Sequence, residues 1–183
     1  MVRSPLRQRR AIAGVLTVLV LVLAAFTANA VLRPGCSLLL ISVPDDAGGS
    51  SAASPEQACA VLGRPLPRTA VLPDGLRESW MSINGGGPVG VQRIVTVAFA
   101  KDGRNIVLLQ VMKGNEIPPG NVNEVNSAVA GMPAIVQQVH LSSIDADDVH
   151  YLWVRDGLLL SLHVQLAPGV TRQSADAMAA STR

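Results

Sequence analysis

The chain lacks the local motifs by which most enzyme active sites are recognised. No Gly-x-Ser-x-Gly segment is present, which excludes the nucleophile elbow of the α/β-hydrolases. Gly85-Gly86-Gly87 is not followed by Lys-Ser or Lys-Thr, as a phosphate-binding loop requires. The acidic residues Asp145, Asp147 and Asp148 do not have the spacing of an EF-hand. We therefore expect a protein that is not an enzyme and carries no cofactor.

Basic residues are scarce beyond the N-terminal tip. The tip holds four of the 15 lysines and arginines, which leaves 11 basic residues against 13 acidic ones, a net charge of −2. This balance predicts no basic face for nucleic acid. The four tip residues are Arg3, Arg7, Arg9 and Arg10.

A long apolar run follows the tip. Ala11 to Leu32 contains 22 residues without a charge, and about 20 such residues span a bilayer. The arginines before the run, with only Arg33 directly after it, place the N-terminus in the cytoplasm. Ala28-Asn29-Ala30 has the small-x-small pattern of a signal-peptidase site, so cleavage after Ala30 is the alternative to a membrane anchor. Both readings predict that the chain beyond residue 33 is exported, either as a single-pass membrane protein or as a secreted one.

Cysteine is limited to Cys36 and Cys59. Outside the cytoplasm two cysteines are more often bridged than free, so a disulfide between them is predicted, and two inert buried thiols are the alternative. The preceding Arg33-Pro34-Gly35 lacks the aliphatic residue of a lipoprotein signal, so we do not expect lipidation of Cys36.

The remaining chain divides into a linker, residues 34–53, and a domain, residues 54–183. Asp45 to Ser54 is rich in Gly, Ser and Ala, which is typical of a linker. Ser54, Pro55 and Gln57 form a capping-box pattern for a short helix that ends at Gly63.

Strand patterns begin after Gly90. Runs rich in Val, Ile and Leu cover Val91 to Ala100, Ile106 to Met112 and Ala134 to Leu141, and Asp102-Gly103 joins the first two as a hairpin. Near the end of the chain Thr171 caps a final helix, in which Ala175, Met178 and Ala179 share one face.

The strongest signal is the stretch Val149 to Leu166, where two strand-like runs flank Asp156-Gly157. A two-residue Asp-Gly turn of type I′ would place Trp153 opposite Leu160, and so fixes the register of both strands. One face is then apolar, with Tyr151, Trp153, Leu160, Leu162 and Val164, and on the other face His150 lies opposite His163.

Together these elements predict an α+β domain: an antiparallel curved sheet of about five or six strands, with a short helix before it and a helix after it. One transmembrane or signal helix precedes this domain.

The histidines are the candidate metal ligands. His150 and His163 oppose each other, and His140 would join them if Ile135, Val139 and Leu141 face the core. Three imidazoles on one sheet face could hold Zn²⁺ or Cu²⁺, which would make the chain a metal-binding envelope protein. The alternative is that these histidines are solvent-facing strand residues.

The aromatic residues Trp80, Tyr151 and Trp153 have two interpretations. Core packing is the default for a ring on an apolar strand face. A sheet covered by one helix could instead leave a groove in which these rings contact a lipid or a peptide.

Several short motifs follow one another over residues 54–183. They are Pro55-Glu56-Gln57-Ala58 with Gly63 and Leu66-Pro67, Leu72-Pro73-Asp74-Gly75, Gly131-x-x-Ala134, Trp153-x-x-Asp156-Gly157 and Met178-Ala179-Ala180-Ser181. Their order resembles a bacterial envelope family of unknown function, which forms the exported domain of membrane-anchored proteins, including the outer halves of some anti-sigma factors and sporulation-linked lipoproteins. The resemblance implies a non-enzymatic sensing or interaction domain, without catalytic residues, whose partner is an envelope protein, a peptide or a lipid.

Overall fold

The computed structural model describes residue 36 and residues 50–85, 92–118, 125–142 and 145–183. The predicted membrane run Ala11 to Leu32 lies outside these ranges, as does the cleavage motif Ala28-Asn29-Ala30. Within the described ranges, no helix is long and apolar enough to cross a membrane.

The described chain forms one antiparallel sheet and two helices, which confirms the predicted α+β class. The strand order is β1-β2-β3-β4-β8-β7-β6-β5, so two consecutive meanders meet where β4 pairs with β8. In chain order the elements are β1 (Ser50–Ala52), α1 (Pro55–Leu62), β2 (Arg77–Asn84), β3 (Ile94–Lys101), β4 (Arg104–Lys113), β5 (Ser127–Val129), β6 (Met132–Leu141), β7 (Ala146–Arg155), β8 (Leu158–Gln165) and α2 (Arg172–Ser181).

The expected count of five or six strands was too low, because the described ranges alone contain eight. β1 and β5 have three residues each, too few to produce a periodic pattern, and β1 lies inside the expected linker. β2 begins with polar, exposed residues, but Met81 and Ile83 are buried and alternate with Ser82 and Asn84. That alternation is the signal that could have identified β2.

The Asp156–Gly157 hairpin has the predicted register. Trp153 lies opposite Leu160 and His150 lies opposite His163. The φ angles of Asp156 and Gly157 are 51° and 77°, as a type I′ turn requires. Asp102-Gly103 joins β3 to β4 with the same pair of positive φ angles, 50° and 76°, which confirms the second predicted hairpin.

Both helices pack on one face of the sheet, here called the helix-covered face. The predicted caps are present: Gln57 N donates to Ser54 Oγ, and Ser174 N donates to Thr171 Oγ1. These caps place the apolar sides of α1 and α2 against the sheet, and the resulting core includes Ala58, Leu62, Ala175, Met178, Leu109, Tyr151, Trp153, Leu160 and Leu162.

The opposite side of the sheet, here called the second face, contacts neither helix through its buried side chains. A small cluster of Ile135, Leu152 and Leu159 is buried there, and Ile117 from the chain after β4 packs against it. The rest of this face alternates with the core residues and mixes polar side chains with apolar ones such as Trp80, Leu108 and Val139.

A disulfide joins Cys36 to Cys59, with the two Cα atoms 5.8 Å apart. Cys59 is buried in α1, so the bridge fixes residue 36 beside this helix. Closing a loop over a sequence separation of 23 residues restricts the unfolded chain and contributes about 3 kcal/mol on the chain-entropy model.

We expect Gly157→Val to lower the free energy of unfolding by about 1–3 kcal/mol, because a β-branched residue is strained at positive φ. Gly157→Asn is the matched control, since its Cβ would meet the same neighbour, Asn115 Oδ1 at 3.3 Å, while asparagine tolerates this backbone conformation. Denaturant titration measures both variants. Equal losses would show that steric contact, and not backbone strain, limits this turn.

Candidate functional site

A continuous row of side chains crosses the second face. The registers place Trp80 on β2 beside Ala98 on β3, then Leu108 on β4, His163 on β8, His150 on β7 and Gln137 on β6. Successive residues of one strand point to opposite faces, so all six side chains belong to the same surface. The ionisable members of the row lie at its centre.

The two histidines at the centre are stacked. The ring centroids of His150 and His163 are 3.9 Å apart, and the ring planes differ by 14°. Each Nε2 contacts the same hydroxyl group, with Ser161 Oγ at 2.9 Å from His150 and 3.1 Å from His163. The stack follows from the hairpin register, and Ser161 is two residues before His163 on the same side of β8.

The shared hydroxyl couples the proton positions of the two imidazoles. A serine hydroxyl has one proton, so it can donate to only one of the two nitrogens and must accept from the other. Asp148 Oδ2 lies 3.8 Å from His163 Nδ1, which favours a proton on that nitrogen. The consistent arrangement has His150 Nε2–H donating to Ser161 Oγ, and the Ser161 hydroxyl donating to His163 Nε2.

An open depression adjoins this cluster on the side of His163. Its volume is about 430 Å³. The lining combines apolar side chains, three amides and two ionisable groups, namely Ile106, Leu108, Leu141, Asn105, Gln110, Gln165, Asp148 and His163. Such a mixture offers hydrogen-bond donors and acceptors on an apolar floor, which is the composition of many binding sites.

The pKa of His150 is lowered from 6.5 to about 4. Burial is the largest cause, because it penalises the charged imidazolium, and the neighbouring His163 adds to the effect. The carboxylate of Asp148 acts in the opposite direction. His150 is therefore neutral at pH 7 and resists protonation in mildly acidic solution.

The predicted three-histidine metal site is not formed. His140 pairs with Asp147 and points to the side opposite His150 and His163. Its Nδ1 lies 3.0 Å from Asp147 Oδ1, near the surface. The condition that Val139 faces the core is not met, since Val139 is 49% exposed on the second face. No group of three metal-ligating side chains occurs in the described ranges.

The structure does not bring the three rings of the alternative aromatic groove together, and Tyr151 and Trp153 follow the default interpretation of core packing. Tyr151 and Trp153 are buried in the core of the helix-covered face, whereas Trp80 is 42% exposed on the second face. Tyr151 Oη donates to Asp176 Oδ1 at 2.6 Å and thereby ties β7 to α2. Burial and this hydrogen bond raise the pKa of Tyr151. These two rings stabilise the fold, and Trp80 alone remains accessible to a ligand.

Sequence reasoning missed the roles of Ser161 and Asp148. Asp147 and Asp148 are compared above only with the spacing of an EF-hand loop, but β7 begins at Ala146, so both are strand residues, and they point to opposite faces. Ser161 could have been recognised, because the predicted hairpin register already placed it next to His163 on the face of the two histidines.

The side chains of Asp148, His163 and Ser161 interact in the order of a hydrolytic triad, but their surroundings do not suit nucleophilic attack. Ser161 is only 6% exposed, and a second imidazole occupies the other side of its hydroxyl. β8 lies between β4 and β7, so its backbone N–H groups take part in the two ladders and do not offer an oxyanion hole.

Comparison with protein-family models, with curated proteins and with solved structures gives no match for this chain.

We expect His150 to lower stability in mildly acidic solution. The folded-state pKa of His150, about 4, is below the unfolded value of 6.5, so the unfolded chain gains a proton first as the pH falls. Between pH 7 and pH 5 the loss attributable to His150 should be about 1–2 kcal/mol, after a reduction for its partial exposure.

Denaturant titration at the two pH values tests this expectation. His150→Gln is the variant, and His140→Gln is the control, because the side chain of His140 is exposed and lies on the other side of the sheet. The wild type and the control should lose more stability than His150→Gln. Identical pH dependence in all three proteins would contradict it.

Proposed function

We propose that the chain is an exported, membrane-anchored domain that works by binding, as a sensing or interaction module, and not by catalysis. The observation that carries the proposal is the stacked pair His150–His163 beside the depression on the second face. The helix-covered face is filled by its own core, so the second face is the surface that can receive a partner.

The chemistry of the second face favours recognition of a polar group. Imidazole, carboxylate and three amides surround one depression, and the accessible ring of Trp80 lies in the same row of side chains. The shared hydroxyl of Ser161 transmits the protonation of one imidazole to the other. A ligand that donates or accepts a hydrogen bond at His163 would therefore change the hydrogen bonding of His150 as well.

The proposed location rests on the N-terminal sequence. The arginine-rich tip followed by Ala11 to Leu32 supports an anchor with the domain outside the cytoplasm. The disulfide between Cys36 and Cys59 agrees with an oxidising compartment. The ordered motifs that resemble the envelope family support the same assignment.

Site-specific photo-crosslinking in intact cells tests the proposed surface. Val139 and His140 are adjacent and exposed but point to opposite faces, so a benzoylphenylalanine at each position forms a matched pair. We expect a discrete adduct from position 139 that is absent from position 140 and is lost when His163→Ala is added. The same adducts from both positions would contradict a binding role for the second face.

Ester hydrolysis by the purified chain tests the absence of catalysis. We expect wild type and Ser161→Ala to hydrolyse an activated ester at the same rate, because the serine lacks an oxyanion hole. His163→Ala is the control that reports any reaction of the free imidazole. A fall of tenfold or more in Ser161→Ala alone, on the order of the effect of losing a nucleophile, would establish an enzyme.

A topology reporter tests the location. We expect alkaline phosphatase fused after Arg183 to be active, since it folds only outside the cytoplasm. The same fusion without residues 11–32 should be inactive. Activity that does not depend on residues 11–32 would show that the orientation argument from the arginines is wrong.

A further inference from the structure

Basic side chains from four separate segments surround a cleft at the end of the sheet that carries the Asp156–Gly157 turn. The cleft consists of two adjoining depressions of about 210 and 520 Å³, which share Arg64, Pro65, Asp156 and Leu158. Arg64, Arg155 and Arg183 line the smaller depression, and Lys113 lines the larger one. This cleft is distinct from the second face and does not depend on the function proposed for it.

The positions of the arginines are fixed by the fold. Arg64 follows Gly63, whose left-handed backbone ends α1, and Arg155 is the last residue of β7. Arg155 Nη1 donates to Thr182 O at 2.8 Å, and backbone hydrogen bonds between Arg68 and Arg183 hold the end of the chain beside it. The three arginines thus reach the depression from separate elements of the fold.

The cleft has an excess of positive charge. Its side chains carry four positive charges, on Arg64, Lys113, Arg155 and Arg183, against one negative charge on Asp156, a balance of +3. Asp156 interacts with Arg155, its Oδ2 lying 3.5 Å from Arg155 Nε. In the part of the chain that the structure describes, Arg64 and Arg183 have no carboxylate partner.

Like charges around one small depression repel each other unless an anion lies between them. A planar carboxylate is satisfied by one guanidinium fork, whereas a tetrahedral phosphoryl group offers oxygens in several directions. Leu158, Leu160 and Leu66 give the depression an apolar wall, which suits the organic part of a phosphate ester.

We infer that this cleft is a binding site for a phosphoryl group, carried by a small phosphate ester or by a phospholipid headgroup. Arg64 and Arg183 are the principal contacts, because no carboxylate among the residues that the structure describes pairs with either of them. Arg155 supplies a third, positioned guanidinium.

Calorimetric titration of the full chain in neutral detergent, with inorganic phosphate as the probe at constant ionic strength, tests the site. We expect saturable binding of one phosphate and a loss of about tenfold or more in affinity for the double variant Arg64→Ala/Arg183→Ala. The matched control is Arg77→Ala/Arg104→Ala, which removes two exposed arginines outside the cleft and should keep its affinity. Equal affinity in wild type and the cleft variant would overturn the proposal, as would acetate binding as tightly as phosphate.

Two further titrations distinguish the sources of the phosphoryl group. Glycerol phosphate represents a soluble ester, and vesicles of phosphatidylglycerol, compared with phosphatidylcholine, represent a lipid headgroup. Arginine-dependent binding of either probe supports the site and identifies its source. Binding of anionic vesicles that both double variants weaken equally would indicate only a general surface charge effect, and would overturn the site.

Discussion

The pairing of β7 with β8 through the Asp156–Gly157 turn is the constraint on which both faces of the sheet depend. Side chains alternate along a strand, so a slip of one residue would move Tyr151 and Trp153 out of the core. The same slip would bury His150 and His163 on the side of the helices. Because β8 also pairs with β4, the turn sets the position of the seam that joins the two meanders. A single pair of residues with positive φ thereby decides which surface is core and which is available for binding.

The two faces of the sheet are stabilised in different ways. The helix-covered face buries large apolar side chains, and its one polar contact of note, Tyr151 to Asp176, lies at the rim. The second face buries the polar side chains of Ser82, Thr96 and Ser161 in addition to its small apolar cluster. Ser82 Oγ has no hydrogen-bond partner, which costs about 1–3 kcal/mol for a buried polar group. Packing alone would favour Val or Ile at these three positions, so these polar side chains are not explained by packing.

Local turn chemistry made part of this structure predictable. Asp-Gly turns and helix caps act over a few residues, and both hairpins and both helices were predicted correctly from them. The side chain of His140 was placed on the wrong face because β6 carries apolar residues on both sides, with Ile135 buried on one face and Ala134 on the other. Which face of the sheet each residue of such a strand points to depends on the pairing of the strand with β7. The sequence of β6 alone does not contain that information.

The basic cleft illustrates a second limit of sequence reasoning, which concerns charge. The chain beyond the N-terminal tip has a net charge of −2, from which the sequence predicts no extended basic face. A small site requires only a local excess, however, and the residues that provide it here are separated by up to 119 positions between Arg64 and Arg183. They meet because the end of α1, the end of β7 and the last residues of the chain converge beside one turn. Net charge therefore constrains the size of the partner that a domain can bind, whereas the topology determines where an anion of a few atoms can be held.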